Sequence, residues 1–175
     1  TIIDYNLKSF CRHKTNMLAV KAVTEPRRFG IVEIKNDNVV DVVEKPEVPK
    51  SNLAIAGLYF FKRIERIYQA IGYIISKGIK TKGEYQLTDG LKYLLRKGEQ
   101  FKITRIEKWF DCGTPEALLE TNRHLLKKTN YFKPRRGILI IPPVYIPDSA
   151  NIKDSILGPN VSIGEKVLIK NSLLK

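Results

Sequence analysis

The sequence places a carboxylate and an ammonium side by side at the end of an alternating β-branched run. Glu44 and Lys45 follow VVDVV and precede Pro46. A carboxylate in this position can accept hydrogen bonds from sugar hydroxyls while the neighbouring ammonium neutralises a phosphate. A solvated strand end stopped by proline has the same pattern. The residues alone therefore leave a ligand site and a plain hairpin end as alternatives.

Other positions with possible chemistry are two glycines and one acid. Gly30 opens a strand after a polar loop, and Gly57 interrupts an apolar run that includes Tyr59. Glycine in a buried strand marks either tight packing or the approach of a ligand to the backbone. Asp111 lies between Trp109-Phe110 and a helix start, where α/β sheets bind ligands and where a carboxylate could hold Mg²⁺. Local capping of the turn is the alternative for Asp111.

The elements that must position these residues alternate between strands and helices. Apolar residues at helical spacing, followed by Gly78 and Gly98 as stop signals, predict two helices, and Thr114-Pro115-Glu116 predicts the start of a third. The predicted strands are 16–24, 31–34, 39–43, 53–61 and 101–106, and the predicted helices are 63–76, 88–97 and 115–128. This order predicts a layered α/β domain.

The residue pattern of the sequence changes after Gly137, where helical periodicity is lost. Prolines interrupt short β-branched stretches, and three successive hexads at 157–162, 163–168 and 169–174 each have an aliphatic first and fifth residue. This is the pattern of the hexapeptide repeat of a parallel β-helix. Three hexads make about one coil, and one coil cannot bury its own core.

Composition restricts the class of protein. The net charge of +13 suits nucleic acid or a small polyanionic substrate, but Lys and Arg are scattered and no basic stripe is interleaved with aromatics, so we expect no nucleic-acid partner. No apolar run approaches the ~18–20 residues of a membrane span, and no signal peptide is recognised, so a cytoplasmic location without membrane association is expected. Cys11 and Cys112 form no disulfide or zinc pattern.

Four segments in this order resemble the sugar-1-phosphate nucleotidylyltransferases, in particular the glucose-1-phosphate thymidylyl- and uridylyltransferases. They are RFGIVEI, VVEKPEVPKSNLAIAGLYFF, KGEYQLTDGLKYLLRKG and KWFDCGTPEALLETN. The resemblance implies an α/β fold that is part of a Rossmann-like nucleotide-diphospho-sugar transferase sheet sandwich, followed by a short left-handed parallel β-helix. The implied domains are 1–130, the carboxy-terminal half of a catalytic domain, and 137–175, the start of the β-helix.

The resemblance also implies the roles of individual residues. Lys45 and Asp111 would be catalytic, with Asp111 a ligand of Mg²⁺. The residues expected to bind the substrate are Gly30, Glu44, Lys45, Ile55, Gly57, Tyr59 and Trp109. Glu84 and Asp89 belong to a motif that introduces a helix, and structural roles are expected for them.

The implied reaction is attack of a sugar-1-phosphate, with glucose-1-phosphate favoured, on the α-phosphate of dTTP or UTP to give an NDP-sugar and pyrophosphate. The family's glycine-rich loop for the triphosphate and its first metal-binding aspartate are not found among these residues. The chain is therefore expected to be truncated and inactive alone. A homo-oligomer is expected through the hexads. The alternative is a non-catalytic regulatory or assembly subunit that pairs with an intact catalytic chain.

Overall fold

The computed structural model describes residues 1–175, which form a mixed α/β structure of short and long strands with four α-helices. The strands are β1 Ile2–Ile3, β2 Asn16–Ala22, β3 Gly30–Lys35, β4 Asn38–Glu44, β5 Leu53–Phe60, β6 Phe101–Arg105, β7 Trp109–Phe110, β8 Ile138–Ile140, β9 Val144–Tyr145, β10 Asn151–Lys153, β11 Ser155–Leu157, β12 Val161–Ser162, β13 Leu168–Lys170 and β14 Leu173–Leu174. The helices are α1 Leu7–Phe10, α2 Ile64–Ser76, α3 Leu87–Arg96 and α4 Pro115–Thr129, with a 3-10 turn at Pro26–Arg28.

The chain divides into two compact units. The first contains Thr1 and Ile3–Trp109, and the second contains Ile2 and Phe110–Lys175. This division comes earlier in the chain than the change of residue pattern after Gly137. The domain limits expected from the resemblance, 1–130 and 137–175, stay predictions. None of the helices is both long enough and apolar enough to cross a lipid bilayer.

The first unit is built on a closed sheet in the order β2-β5-β3-β4-β6. Strand β2 runs parallel to β6 and antiparallel to β5, and β3 and β4 form an antiparallel hairpin. The barrel closes through one residue pair, Asn38 with Lys102. Residues 17–20 of β2 and 54–56 of β5 are buried in succession, so both strand faces are covered there and these stretches are continuously apolar. Residues buried in this core include Leu18, Val20, Val32, Val42, Leu91 and Phe101.

The hairpin turn fixes which residues face each other at its open end. Asn36 and Asp37 have φ angles of 50° and 59°, the left-handed conformation that a tight hairpin turn requires and that Asn and Asp tolerate. The resulting register, with one irregularity after Glu33, pairs Gly30 with Glu44 at the far end. Two residues of candidate chemistry are thereby brought opposite each other by the local turn.

Helices α2 and α3 pack together and against the sheet. In α2 the buried residues are Ile67, Ala70 and Ile74, one helical face. Gly78 and Gly98, with φ angles of 62° and 84°, follow the two helices, as glycines do at helix ends. The predicted bounds of the two helices are therefore confirmed to within one residue at each end, and so are their stop signals, whereas Ile64 and Ile75 of the predicted apolar spacing are exposed.

The second unit contains α4 and three small parallel sheets. The sheets are β14-β11-β8, β12-β9 and β10-β13. The Ser172 amide donates to the Ser155 hydroxyl, 17 residues earlier, and every strand pair of these sheets has the same offset, for example Ile156 with Leu139. Their shared core contains Val144, Ile146, Ala150, Ile152, Leu157, Ile163 and Ile169. Parallel strand pairing in this unit thus begins at β8, before the first hexad at residue 157.

Candidate functional site

Glu44 is the centre of the candidate site in the first unit. Its side chain is 11% exposed, and its Oε2 atom accepts a hydrogen bond of 2.9 Å from the Thr88 hydroxyl. Its Oε1 atom lies 4.0 Å from Nζ of Lys45, the ammonium that follows it in sequence. A carboxylate offers about four acceptor positions, so Glu44 keeps the capacity to accept hydrogen bonds from a ligand. A solvated hairpin end does not account for a carboxylate that is largely buried and hydrogen-bonded to a helix.

Lys45 has an unusual backbone conformation for a lysine. Its φ angle is 41°, and its amide donates to the Phe29 carbonyl at 3.0 Å. A left-handed conformation costs a residue with a side chain about 1–2 kcal/mol, and such costs concentrate at functional sites. The Lys45 side chain is 43% exposed, so its ammonium is accessible to an anion beside Glu44.

Gly30 lies at a close contact that has no space for a side chain. A Cβ atom at this position would lie 2.7 Å from Cγ2 of Thr88 and 2.9 Å from Oε2 of Glu44, closer than such atoms approach in real structures. It would lie 3.6 Å from Cδ1 of Ile55, which is buried at 7% exposure. The close approach, rather than a special φ angle, explains the glycine. The backbone of Gly30 thus borders the Glu44 carboxylate directly.

Tyr59 adds a hydroxyl that stays protonated at neutral pH. Burial, and after it the negative charge of Glu44, raises the pKa of Tyr59 from 10.0 to about 12. Its ring stacks with that of Phe61 at a centroid distance of 6.2 Å and an interplanar angle of 9°. Tyr59 is therefore a fixed neutral group whose hydroxyl can donate a hydrogen bond.

Gly57 lies at an irregularity between β2 and β5. The strand register changes between the pairs Val20–Ile55 and Leu18–Tyr59, and Gly57 has a φ angle of 82°. No atom lies within 4 Å of a Cβ atom built at Gly57. Tight packing therefore does not explain this glycine, whereas the left-handed backbone of the bulge does.

Trp109 brings a buried hydrogen-bond donor to the first unit. Its ring meets the Phe29 ring at a centroid distance of 5.0 Å and an angle of 63°. The indole Nε1 atom is buried and has no hydrogen-bond partner. Leaving such a donor unpaired costs about 1–3 kcal/mol. Because Phe29 precedes Gly30, this aromatic pair adjoins the strand that carries the glycine.

Asp111 belongs to the second unit, so the structure does not join it to the Glu44 group. Its half-buried carboxylate makes no hydrogen bond or ion pair, and its Oδ2 atom would lie 2.6 Å from a Cβ atom at Gly113. The capping alternative is not supported, because the cap of α4 is the Thr114 hydroxyl, which accepts from the Ala117 amide at 3.2 Å.

The donor set at Asp111 can be compared with what Mg²⁺ requires. No three side chains of His, Cys, Asp or Glu come together as a metal site. Mg²⁺ is commonly held by one or two carboxylates completed by substrate phosphates and water. The single Asp111 carboxylate fits a Mg²⁺ site that substrate phosphates and water complete. It does not fit a site in which protein side chains supply all the ligands.

Sequence reasoning did not identify Thr88 as a residue of the site. It is 6% exposed, and its contact with Glu44 joins residues 44 positions apart. The sequence feature that could have pointed to Thr88 is the Thr-Asp pair at the start of α3. The next residue, Asp89, accepts the Thr81 hydroxyl with both carboxylate oxygens at 3.0 and 2.8 Å, a contact that stabilises the loop before the helix.

The fold and this site define a class of protein. A model of the nucleotidyl transferase family, described as "Nucleotidyl transferase", matches residues 3–128. The chain therefore belongs to the nucleotidyl transferase family. The family resemblance seen in the sequence motifs is confirmed at this level.

Individual relatives agree with this assignment. The chain is 37% identical over 130 residues to the bifunctional protein GlmU of Methanocaldococcus jannaschii, covering 74% of this chain and 30% of that protein. It is 33% identical over 164 residues to a glucose-1-phosphate thymidylyltransferase of Streptomyces griseus, covering 89% of this chain and 44% of that protein. The chain thus spans less than half the length of these relatives.

A solved structure supports the fold. The UDP-glucose pyrophosphorylase from Acinetobacter baumanii matches with a TM-score of 0.52 over 70% of this chain and 43% of that one. At 23% sequence identity this similarity shows the fold alone. The expected α/β class is confirmed by it.

Proposed function

We propose that the chain binds a sugar-1-phosphate, with glucose-1-phosphate favoured, as the acceptor of the nucleotidyl group of a nucleoside triphosphate such as dTTP or UTP. The products are an NDP-sugar and pyrophosphate. The observation that carries this proposal is the largely buried Glu44 carboxylate, which is anchored by Thr88 and flanked by the exposed ammonium of Lys45. The relatives named glucose-1-phosphate thymidylyltransferase support the choice of sugar phosphate.

The chemistry of the site follows from these groups. Glu44 accepts hydrogen bonds from sugar hydroxyls, and Tyr59 donates one because its proton is retained at neutral pH. Lys45 neutralises the phosphate, which leaves its oxygen positioned for in-line attack on the α-phosphate of the triphosphate. The bond formed joins the sugar-phosphate oxygen to the α-phosphorus, and the bond broken releases pyrophosphate. Gly30 and Ile55 shape the floor beneath the sugar, and Gly57 and Trp109 complete its border.

Mg²⁺ is part of this proposal. It would be held by the Asp111 carboxylate together with phosphate oxygens, and it would supply neutralisation of phosphate charge. The remaining elements of the reaction, including recognition of the base and of the triphosphate, are not assigned to residues of this chain. We therefore propose that the chain alone binds sugar phosphate with little or no turnover.

The test is calorimetric titration of the full chain with glucose-1-phosphate in the presence of Mg²⁺. Glu44→Gln keeps the shape of the side chain and removes its charge, and Glu33→Gln is the matched control, since Glu33 lies on the same hairpin and pairs only with exposed Lys50 at 3.9 Å. We expect saturable binding that weakens about tenfold or more in Glu44→Gln and is unchanged in Glu33→Gln. Equal binding by both variants would contradict the proposal.

A second candidate function is non-catalytic assembly. The second unit exposes a row of aliphatic side chains across the sheet β14-β11-β8. In this row Leu139, Ile156 and Leu173 are 57%, 37% and 69% exposed. We propose that the hexads form a left-handed hexapeptide-repeat β-helix that associates subunits through such rows. Sedimentation of the chain and of Leu139→Lys separates the candidates, because an assembly subunit dissociates in the variant while sugar-phosphate binding is unaffected.

A further inference from the structure

A second pocket in the first unit lies between the start of α2 and the end of α3. Its volume is about 470 Å³, and its polar lining consists of Arg63, Arg66, Gln69, Tyr93, Lys97 and Glu99. Helix α3 contacts Glu44 through Thr88 near its first residue and reaches this pocket at its last turn. Nine residues of helix correspond to about 14 Å. The pocket is therefore a different place from the candidate sugar-phosphate site.

One carboxylate holds two guanidinium groups at the wall of this pocket. Glu99 is 16% exposed, and its Oε1 atom lies 2.8 Å from an Nη atom of Arg63 and 3.4 Å from Nε of Arg66. Its Oε2 atom accepts from the Asn16 amide at 3.3 Å. Because both oxygens are engaged, Glu99 fixes the two arginines without neutralising both. The arginine side chains remain 56% and 47% exposed, so each keeps donors available to a ligand.

Lys97 adds a third cation, and it has no acidic partner. Its Nζ atom lies 5.6 Å from the centre of the Tyr93 ring and within 4.0 Å of no carboxylate. The Tyr93 ring also stacks with the Tyr73 ring at a centroid distance of 4.2 Å. Stacking holds the Tyr93 ring in place, and the Lys97 ammonium lies over this ring at the wall of the pocket.

The charges in the pocket do not balance. Arg63, Arg66 and Lys97 carry three positive charges against the single negative charge of Glu99. A phosphate monoester carries close to two negative charges at neutral pH and presents several oxygens to planar guanidinium donors. The volume exceeds what a phosphate group alone fills and lies within the range of small-molecule pockets.

We propose that this pocket is a binding site for a phosphorylated small molecule, distinct from the sugar-phosphate site. The phosphate contacts Arg63, Arg66 and Lys97, and the remainder of the ligand occupies the space beside Gln69 and Tyr93. This inference does not depend on the proposed function, since none of its residues belongs to the Glu44 group.

The experiment is a titration of the full chain with inorganic phosphate, followed by amide chemical shifts. The test variant is Arg66→Gln with Lys97→Gln, which leaves the Arg63–Glu99 pair intact. The matched control is Arg96→Gln with Lys102→Gln, which removes the same charge from a neighbouring groove. Lys97→Gln alone serves as a second test variant, because Lys97 makes no ion pair whose loss could disturb folding.

We expect saturable shifts among residues 63–69 and 93–99, with the phosphate dissociation constant raised about tenfold or more in the double test variant and at least severalfold in Lys97→Gln. The control pair and Glu44→Gln should change this constant less than about twofold. The proposal is overturned if no saturable shifts occur in these segments, if the control pair weakens binding as much as the test pair, or if Glu44→Gln abolishes the shifts.

Discussion

The Thr88 hydroxyl donates a hydrogen bond of 2.9 Å to Oε2 of Glu44, and this contact ties the first turn of α3 to the end of the β3–β4 hairpin. It joins a helix and a strand that are 44 residues apart in sequence. The bond fixes one carboxylate oxygen and leaves the other beside Lys45. The orientation of the central acid of the site therefore depends on a residue that is itself buried.

We predict that Thr88→Val weakens glucose-1-phosphate binding about threefold to tenfold, because the Glu44 carboxylate loses the donor that orients it. Calorimetric titration measures this change. Thr129→Val is the control, since Thr129 is exposed and its hydroxyl donates only to the Leu125 carbonyl at 2.9 Å. Unchanged affinity in Thr88→Val would mean that the hydroxyl does not orient the acid.

We predict that Gly30→Ala lowers the free energy of unfolding by about 1–3 kcal/mol and weakens sugar-phosphate binding, because its Cβ atom displaces Glu44 and Thr88. Urea denaturation and calorimetry measure the two effects. In the control Gly72→Ala the new methyl meets no atom within 4 Å inside α2, so stability should rise by up to about 1 kcal/mol. A neutral Gly30→Ala would show that the hairpin adapts freely.

We predict a stability change at alkaline pH that depends on Tyr59. Folding raises the pKa of Tyr59 from 10.0 to about 12, so the folded state holds this proton more tightly than the unfolded state. Its contribution is fully present below pH 10 and is lost as the pH rises toward 12. Tyr59→Phe should make the fall in unfolding free energy across this window shallower, as urea denaturation at several pH values would reveal. Tyr68→Phe, at an exposed tyrosine, should leave the slope unchanged.

We predict that glucose-1-phosphate changes the fluorescence of the chain, because Trp109 is its one tryptophan and has a buried indole donor without a partner. Binding should shift or quench its emission at the ligand concentrations that calorimetry identifies. Phe29→Leu removes the neighbouring ring and should alter the starting emission while the titration midpoint changes little. Emission that stays constant through saturation would exclude Trp109 from the border of the site.

The main elements of the first unit could be predicted because each has a local cause. The predicted strand 53–61 is Leu53–Phe60 in the structure, and the predicted helix 63–76 is Ile64–Ser76. Continuous apolar residues indicate a strand buried on both faces, and a spacing of three to four residues indicates a helix. Similarly, the Asn-Asp turn determines the pairing of Gly30 with Glu44.

Features that depend on distant residues could not be predicted. The role of Thr88 requires knowing that α3 packs beside β4, which no local pattern states. The cation pocket combines Arg63 with Lys97, and such residues appear merely scattered in the sequence. In the second unit, prolines interrupt the β-branched stretches from Ile138 onward, so the repeat was recognised only in the three hexads at 157–174, although the earlier strands pair in register with the later ones.

The constant offset of 17 residues in the second unit has a consequence for how its length can vary. A segment inserted within a strand and shorter than one full offset would put the later strands out of register with the earlier ones and displace core residues such as Leu157. Whole multiples of the offset preserve the pairing, and so do insertions confined to a corner loop. The backbone follows the same interval, because Gly137, Asp154 and Asn171 lie 17 residues apart and all have a left-handed conformation, with φ angles of 77°, 47° and 49°.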